Sequence, residues 1–416
     1  MKETKFKETE IGRIPEDWEI KTIGEIGSFS KGSGISRADS NTGVIAAIRY
    51  GEIYTLHNNY IKNCFSHISP IVAAHAKRLY YGDILFTASG ETKEDIAKAV
   101  AFVSKEEAYA GGDIIILSPY TNIDSKWLGF LLNTGCIVKQ RAAKAQGDAV
   151  VHITTNSVAS IKIPLPPLNE QRRIATALTS IDNLISSLDK LIEKKKNIKQ
   201  GAMQQLLTGK ARFKGFDESW VEKKLGDVAS ILRGGSPRPI ESYLTTNPNG
   251  INWIKIGDVR PNDKYVRHTA EKIIKEGASR SREVSRGDFI LSNSMSFGRP
   301  YILDIDGCIH DGWLVIKDYA KSYDMDFLYY MLSSEFVFEQ YISMAAGSSV
   351  KNLNKEKVSD VVLYAPQLLN EQRAIATILT NMDEELASLE KKRDKYVALK
   401  EGMMQQLLTG KIRLIS

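Results

Sequence analysis

The chain has 416 residues, 43% of them hydrophobic, with 56 lysines and arginines against 50 aspartates and glutamates. This length predicts two or three domains, each large enough to bury a core. No apolar run approaches the roughly 20 residues that a membrane span needs, and the charged start MKETKFKETE does not resemble a signal peptide. The three cysteines, odd in number and far apart, fit neither a disulfide framework nor a metal knuckle, so we expect reduced thiols and a cytoplasmic protein.

The chain is predicted to consist of two similar halves. Trp18 and Gly24 in the opening of the first half align with Trp220 and Gly226 in the second, and YGDILF at 81–86 resembles RGDFIL at 286–291. Short strands, short helices and many Gly, Ser and Asn turns predict a domain of mixed α and β structure in each half. We assign these α+β domains to residues 1–163 and 214–365. The strand order does not follow from the sequence.

A long segment that ends each half is the strongest repeat. Residues 168–213 and 369–414 match at 26 of 46 positions without a gap. Prolines precede each copy, and Gly209 or Gly410 near its end is suited to the position just after the last helical turn, as expected for a helix start and end. We therefore assign residues 164–213 and 366–416 to two long helices, each about 60 Å long at 1.5 Å per residue.

Apolar residues recur in these helices at alternating steps of four and three, the pattern of a coiled-coil seam. The predicted seam comprises Ile174, Leu178, Ile181, Ile185, Leu188, Ile192, Ile375, Leu379, Met382, Leu386, Leu389, Tyr396, Met403 and Leu407. Because a globular segment separates the copies, we expect an antiparallel two-helix coiled coil that joins the two domains with pseudo-twofold symmetry. The alternative is that each helix packs on its own domain.

The positive charge is concentrated in the first of these helices. Residues 164–213 carry about +5 of the net charge of +6, largely through Lys194, Lys195, Lys196 and Lys199. Net charge alone therefore does not indicate that the globular domains bind nucleic acid. Whether the cluster Lys194–Lys196 faces DNA or an acidic partner remains open at this stage.

A search for a catalytic or metal site finds little. The chain has no phosphate-binding GxxxxGK[ST] loop, no HExxH pair, no GxSxG and no methyltransferase-type NPPY tetrapeptide. Asp83, Glu91 and Lys93 imitate the carboxylate–lysine cluster of metal-dependent nucleases, but the second half keeps only Asp288 of that pattern. We expect a chain that is not catalytic by itself and holds no metal, with a metal-dependent DNA nuclease at these three residues as the alternative.

Glycine-rich loops with cations recur at matching places in both halves and are typical of phosphate and base contacts. They lie at 30–37 and 233–239, at 279–286, and at the tips 87–93 and 292–299. The candidate DNA-binding residues are Lys31, Arg37, Ser89, Lys93, Arg233, Arg238, Arg280, Arg282, Asn293 and Arg299. Taken singly, each loop is equally typical of a solvated turn, and a coiled-coil scaffold that does not bind DNA is a further alternative.

With these features, the chain resembles a specificity subunit of a type I restriction–modification system over essentially its whole length. The resemblance rests on IPLPPLNEQ at 163–171, the looser YAPQLLNEQ at 364–372, the repeated helices and GGSP at 234–237; the first half departs with KGSG. It implies target-recognition domains that each read one half of a bipartite, asymmetric site in double-stranded DNA. The helices would set the spacer and dock two modification (methyltransferase) subunits, and restriction subunits would cut. S-adenosylmethionine, ATP and Mg²⁺ are expected in those partners and not in this chain.

Overall fold

The computed structural model describes residues 5–147, 150–261, 263–293, 297–345 and 352–415. The chain forms two compact units, Met1–Asp189 with Lys391–Ser416 and Lys190–Glu390. Both divisions fall inside the long helices, so each unit contains one globular domain and one half of each helix. No helix in the described ranges is long and apolar enough to cross a membrane.

The first domain is built around a five-stranded sheet whose central strands are buried on both faces because their sequences, such as ILF and III, are continuously apolar. Its strands, in spatial order, are Gly27–Lys31, Ile114–Pro119, Ile84–Thr87, Ala99–Phe102 and Tyr60–Ile61. A four-stranded sheet has the order Ser66–Ile68, Ile45–Ile48, Ala108–Ala110 and Lys77–Arg78. Three strand pairs complete the domain: Phe6–Lys7 with Ile14–Pro15, Ser89–Gly90 with Val151–His152, and Glu19–Thr22 with Lys162–Leu165.

The first domain also contains short helices. They are Tyr50–Thr55, Pro70–Ala73, Ser125–Leu131, Gly135–Ala143 and Thr155–Ala159, with a 3₁₀ turn at Ile23–Glu25. Asp124 caps Ser125–Leu131 by accepting the Trp127 N–H at 2.9 Å. Trp127 and Phe130 are fully buried in the core beside the five-stranded sheet.

The second domain repeats the order of the first domain's five-stranded sheet. Its strands are Ser230–Arg233, Trp313–Lys317, Phe289–Ser292, Pro300–Leu303 and Tyr265–Val266. Its other large sheet has five strands, Leu244–Thr245, Glu271–Ile273, Ile251–Ile254, Gly307–Ile309 and Arg282–Val284, and Val221–Lys224 pairs with Val362–Ala365. The helices are Leu225–Val228, Lys275–Ala278, Met325–Leu332, Glu335–Ala345 and Lys355–Ser359, with 3₁₀ turns at Ile240–Ser242, Ile256–Asp258 and Tyr319–Lys321. The predicted α+β class and the internal repeat are confirmed.

The two repeated segments form helices of 39 residues each, Leu168–Leu206 and Leu369–Leu407. Gly209 and Gly410, shortly after each helix, have φ values of 70° and 69°. That left-handed conformation suits glycine and stops the helix where the sequence predicts.

Ion pairs show that the two helices run antiparallel within each unit. In the first unit, Lys400 Nζ lies 2.6 Å from Asp182 Oδ1, and Arg393 Nη1 lies 3.6 Å from Asp189 Oδ1. In the second unit, Lys195 pairs with Glu385 and Lys196 with Glu390, both at 2.7 Å, and Lys199 pairs with Asp383. The predicted antiparallel pair is therefore confirmed, and three lysines of the positive cluster face carboxylates of the second helix.

The seam residues occupy two environments. Near the helix ends they join the domain cores: Ile174, Leu178 and Leu407 belong to the first core, and Ile375 and Leu379 to the second. Toward the helix middles, the helices bury Ile181, Leu188, Ile192 and Leu386, whereas Ile185, Leu389 and Tyr396 are half-buried. Met382 and Met403 are also half-buried, and they pack against the second and the first core, respectively. Packing on a domain, which the sequence offered as an alternative to helix pairing, thus coexists with it.

A buried carboxylate links the two helices to each other and to the first domain. Glu170, in the first turn of the first helix, accepts hydrogen bonds from Arg413 Nε and Nη2, both at 2.7 Å, and from Trp18 Nε1 at 3.0 Å. Arg413 follows the end of the second helix and is also bidentate to Asp17, with both distances 2.8 Å. Glu170 therefore joins the start of one helix, the end of the other and the domain's entry strand region.

The second unit contains the same arrangement, with Glu371 bound by Arg212 Nε and Nη2, both at 2.9 Å, and by Trp220 Nε1 at 3.1 Å. The neighbouring glutamine also repeats its role. Gln171 Oε1 accepts the Asp124 N–H at 2.8 Å, and Gln372 Oε1 accepts the Asp324 N–H at 2.7 Å. The recurring letters EQ and TGKxR thus have one structural explanation. We call the two Glu–Arg–Trp clusters the end locks.

Candidate nucleic-acid interface

In the second domain, several predicted DNA-binding residues meet at a turn formed by His310, Asp311 and Gly312. The strand Ser230–Arg233 leads into the glycine loop, whose Gly234 N–H donates to Trp313 O at 2.8 Å. A Cβ at Gly234 would lie 2.1 Å from His310 O, so only glycine allows the loop to approach the turn this closely. The loop's polar and charged side chains are thereby gathered around Asp311.

The carboxylate of Asp311 is the centre of this cluster. Its Oδ1 accepts the Ser236 hydroxyl at 3.0 Å and lies 3.0 Å from His310 Nε2, and Arg238 Nη2 lies 3.5 Å from Oδ2. Burial acts to raise the pKa of Asp311, but the Ser236 hydroxyl and the nearby positive charges outweigh it and lower that pKa. The carboxylate therefore stays ionised beside the arginines.

The backbone carbonyl of Asp311 binds two more of the predicted residues. Arg233 Nε lies 3.4 Å and Asn293 Nδ2 3.1 Å from this oxygen. Arg282 Nε in turn donates to Arg233 O at 3.1 Å, and Arg280 Nη1 to the Tyr243 hydroxyl at 2.7 Å. Each of these contacts holds one nitrogen of an arginine's guanidinium group, and the arginines remain exposed.

Asn293 and Arg299 bracket the predicted tip 292–299, of which Ser294–Ser296 lie outside the described residues. Asn293 is buried, so its amide is committed to the Asp311 turn. Arg299 is exposed and donates to Pro261 O at 2.9 Å. It lines a separate cleft of about 950 Å³ within the second unit, together with Lys264, Lys199 and Lys196. The structure thus brings Asn293 to the turn and directs Arg299 elsewhere.

In the first domain, Lys31 ends a strand and is exposed. The Gly32 N–H donates to Ile114 O at 2.9 Å, which corresponds to the bond from Gly234 to Trp313 O in the second domain. Arg37 lies in a turn where Asp39 Oδ2 accepts the Ser36 N–H at 2.7 Å. Arg37 lines a cleft of about 460 Å³ with Arg49, a residue that the sequence did not single out. Arg49 Nη2 lies 3.2 Å from Oε1 of buried Glu52. These residues are three apart in the sequence, and no motif in the sequence marks the pair.

The predicted tip residues of the first domain differ from each other. Ser89 is buried, its hydroxyl lies 3.0 Å from His152 Nδ1, and its carbonyl accepts the Tyr54 hydroxyl at 2.9 Å. Lys93 is exposed. A base contact by Ser89 would require its strand pairing with His152 to open.

Among the nuclease-like residues, Asp83 has a structural role in a turn. Asp83 is buried and accepts the Tyr80 N–H at 2.8 Å and the Ser118 hydroxyl at 2.7 Å. Burial raises its pKa, opposed by these bonds. The matching Asp288 accepts the Ser285 N–H at 2.8 Å and so forms the same kind of turn. Within the described ranges, no group of three His, Cys, Asp or Glu residues is arranged to hold a metal.

The arrangement as a whole is suited to polyanion contact. Exposed guanidinium groups on glycine loops can bind phosphate oxygens or the acceptor edge of guanine. The sequence found the arginines but missed Asp311, because its contact with Ser236 spans 75 residues and depends on strand pairing.

Comparison with known proteins identifies relatives along the whole chain. The family model described as "Type I restriction modification DNA specificity domain" matches twice, at residues 15–200 and 217–398. A putative type I restriction enzyme MjaX specificity subunit of Methanocaldococcus jannaschii is 28% identical, covering 99% of this chain and 98% of that protein. The EcoKI specificity subunit of Escherichia coli K12 is 22% identical over 61% of this chain and 57% of its own length.

Solved structures share the fold. A chain from a structure described as the basis of complex assembly and conformational transition of a type I R-M system has a TM-score of 0.59 at 18% identity, covering 96% of this chain and 99% of that one. The S subunit of a type I restriction–modification system from M. genitalium has a TM-score of 0.58 at 15% identity, covering 94% of this chain and 96% of that one.

Proposed function

Since this chain belongs to the type I restriction–modification DNA specificity family, we propose that it is the DNA sequence-recognition subunit of such a complex. The observation that carries the proposal is the double match, one for each domain with most of the helix that follows it. Each domain would read one half of a bipartite, asymmetric site in duplex DNA. Two different domains on one repeated helix account for the asymmetry of that site.

The geometry of the loops supports base reading by the second domain around Asp311. Arg233 and Arg238 are exposed, and their loop is fixed by backbone bonds to the sheet. Bidentate contact by arginine to guanine contributes about 1–3 kcal/mol of discrimination. In the first domain, Lys31, Arg37 and Arg49 would have the corresponding role.

The helices would set the spacer between the half-sites. A continuous helix of 39 residues is about 58 Å long, whereas half-sites one turn apart on one face of DNA are separated by roughly 34 Å. Leu184, Leu191, Ile198 and Leu399 are between 38% and 49% exposed on these helices. Such apolar residues would be covered by docking of the modification subunits.

The chain would not be catalytic by itself. Methyl transfer from S-adenosylmethionine would be done by two modification subunits, and ATP- and Mg²⁺-dependent translocation and cleavage by restriction subunits. The chain would then act in the cytoplasm together with these partners.

Methylome sequencing of cells that express the chain with its modification subunits tests the proposal. The expected result is one bipartite motif, and replacement of residues 1–163 by a relative's segment should change one half of it only. Absence of any motif with an assembled complex, or a change in both halves, would overturn the assignment.

The spacer role is tested by inserting seven residues into both helices, between Asp189 and Lys190 and between Glu390 and Lys391. Seven residues preserve the seam's phase and add about 10 Å, so the spacer should lengthen by about three base pairs. The control is a seven-residue insertion in the exposed turn 246–249 of the second domain, which should leave the spacer unchanged. An unaltered spacer in the variant with both protein helices lengthened would refute the idea that the helices set the distance between the half-sites.

A further inference from the structure

Asp311 places a negative charge in the middle of the second domain's arginine loops. This carboxylate is about one-third exposed and would lie close to any phosphate that Arg233 or Arg238 contacts. Like charges repel, so at this position an aspartate weakens attraction to DNA in general. Its presence therefore calls for a role other than affinity.

The contacts of Asp311 suggest what that role is. Its carboxylate binds Ser236 and faces Arg238, and its carbonyl oxygen binds Asn293 and lies near Arg233. One residue thus connects the two sides of the glycine loop and the strand that leads to the tip. The distances from Arg238 Nη2 to Asp311 Oδ2 and from Arg233 Nε to Asp311 O are long, 3.5 Å and 3.4 Å. Such contacts are weak, so a stronger acceptor can replace them.

His310 fixes the orientation of this carboxylate. Its Nδ1 accepts the Gly312 N–H at 2.9 Å, so Nε2, which lies 3.0 Å from Asp311 Oδ1, is the nitrogen that donates to the carboxylate. The ring also packs edge-on against buried Trp253, with centroids 6.0 Å apart. Oδ1 is therefore occupied by His310 and Ser236, and Oδ2 is the oxygen that faces Arg238.

From this geometry, and resting on the proposed function, we propose that Asp311 is a specificity-determining positioning residue for the second half-site. It orients Arg233 and Arg238 for their correct partners and, by its charge, weakens their attraction to phosphates of any other sequence. It acts through the arginines and does not itself contact a base.

The test is Asp311→Asn in the complex with the modification subunits, with the wild-type methylome motif as the probe duplex. Asparagine keeps the backbone carbonyl and a similar shape but removes the charge. Binding is compared among the motif, the motif with only its second half scrambled, the motif with only its first half scrambled, and a fully scrambled duplex. We expect D311N to bind the fully scrambled duplex about three- to tenfold more tightly and to lose about tenfold in discrimination at the second half only.

Asp288→Asn is the matched control, because Asp288 is a turn carboxylate of the same domain, bound to Ser285 and paired with Lys317 at 3.0 Å. If Asp311 were merely structural, D311N would resemble D288N, with parallel losses for all duplexes in step with a lower melting temperature. That outcome would overturn the proposal, and so would a changed preference at a single base pair with unaltered binding to scrambled DNA, which would make Asp311 a direct base reader. Absence of sequence preference in the wild-type complex would instead refute the proposed function.

Discussion

Replacing Arg413 by alanine should destabilise the first unit strongly. Glu170 and Arg413 have side chains only 2% and 6% exposed, and the arginine makes two 2.7 Å contacts to the carboxylate. Without Arg413, the buried carboxylate keeps the Trp18 N–H but loses its countercharge. Breaking a buried pair from one side costs about 3–5 kcal/mol. For a unit of this size, that corresponds to a melting temperature lower by about 6–20 °C.

The second end lock supplies an internal comparison. Glu371 is as buried as Glu170, but Arg212 is 26% exposed. Water can therefore replace part of the lost interaction, and Arg212→Ala should cost only about 1–3 kcal/mol. Differential scanning calorimetry measures both variants, and hydrogen exchange at the two helix starts shows which unit has loosened.

The double variant Glu170→Gln with Arg413→Ala isolates the cause. If an unpaired buried charge is responsible, the neutral amide of E170Q should recover part of the stability lost in R413A. The double-mutant cycle of E170Q and R413A should then show a coupling energy above about 1 kcal/mol. A melting temperature for R413A no lower than that of R212A, or no recovery in the double variant, would refute the reasoning.

Three further predictions concern Asp17, Gly234 and Lys195. The hydrogen bond from Arg413 lowers the pKa of Asp17 below its ordinary value of 3.8. The Asp17–Arg413 pair therefore stabilises the fold fully above pH 3.8, and this stabilisation is lost as the pH falls through the lowered pKa. The stability difference between wild type and Asp17→Asn in urea should shrink below about pH 4, and a constant difference would contradict this. Gly234→Ala forces a Cβ to within 2.1 Å of His310 O, so methylome sequencing should show loss of the second half of the motif, and an unchanged motif would contradict the loop's role. Lys195→Ala breaks an exposed ion pair between the helices and should change the free energy of unfolding by no more than about 1 kcal/mol.

The long helices and their pairing were predictable because local signals agree. Prolines before the start, glycines after the end and apolar residues at steps of three and four all indicate one structure. Ile181 and Leu188 satisfy that pattern and are buried as a coiled-coil seam requires. The strand order was not predictable, since parallel pairs such as Tyr60–Ile61 with Ala99–Phe102 join segments about 40 residues apart.

The candidate interface was predictable only in part. Arg233 and Arg280 are found by composition, because cations on glycine loops have a recognisable sequence pattern. Asp311 is not, because an aspartate before glycine is typical of any turn. Ser89 fits the pattern of an exposed tip and yet is buried, because Val151–His152, some 60 residues later, pairs with its strand.

The end locks and ion pairs explain why the helices repeat while the domains differ. Each unit combines the start of one helix with the end of the other, so the contact Asp182–Lys400 in the first unit has its counterpart in Lys199–Asp383 in the second. A change in either copy of the helix therefore alters a contact made with the other copy, and both partners are constrained together. Among the described residues, the loops around Asp311 make their hydrogen bonds with their own domain. They are free to diverge from those of the first domain, which is what two domains that read different half-sites require.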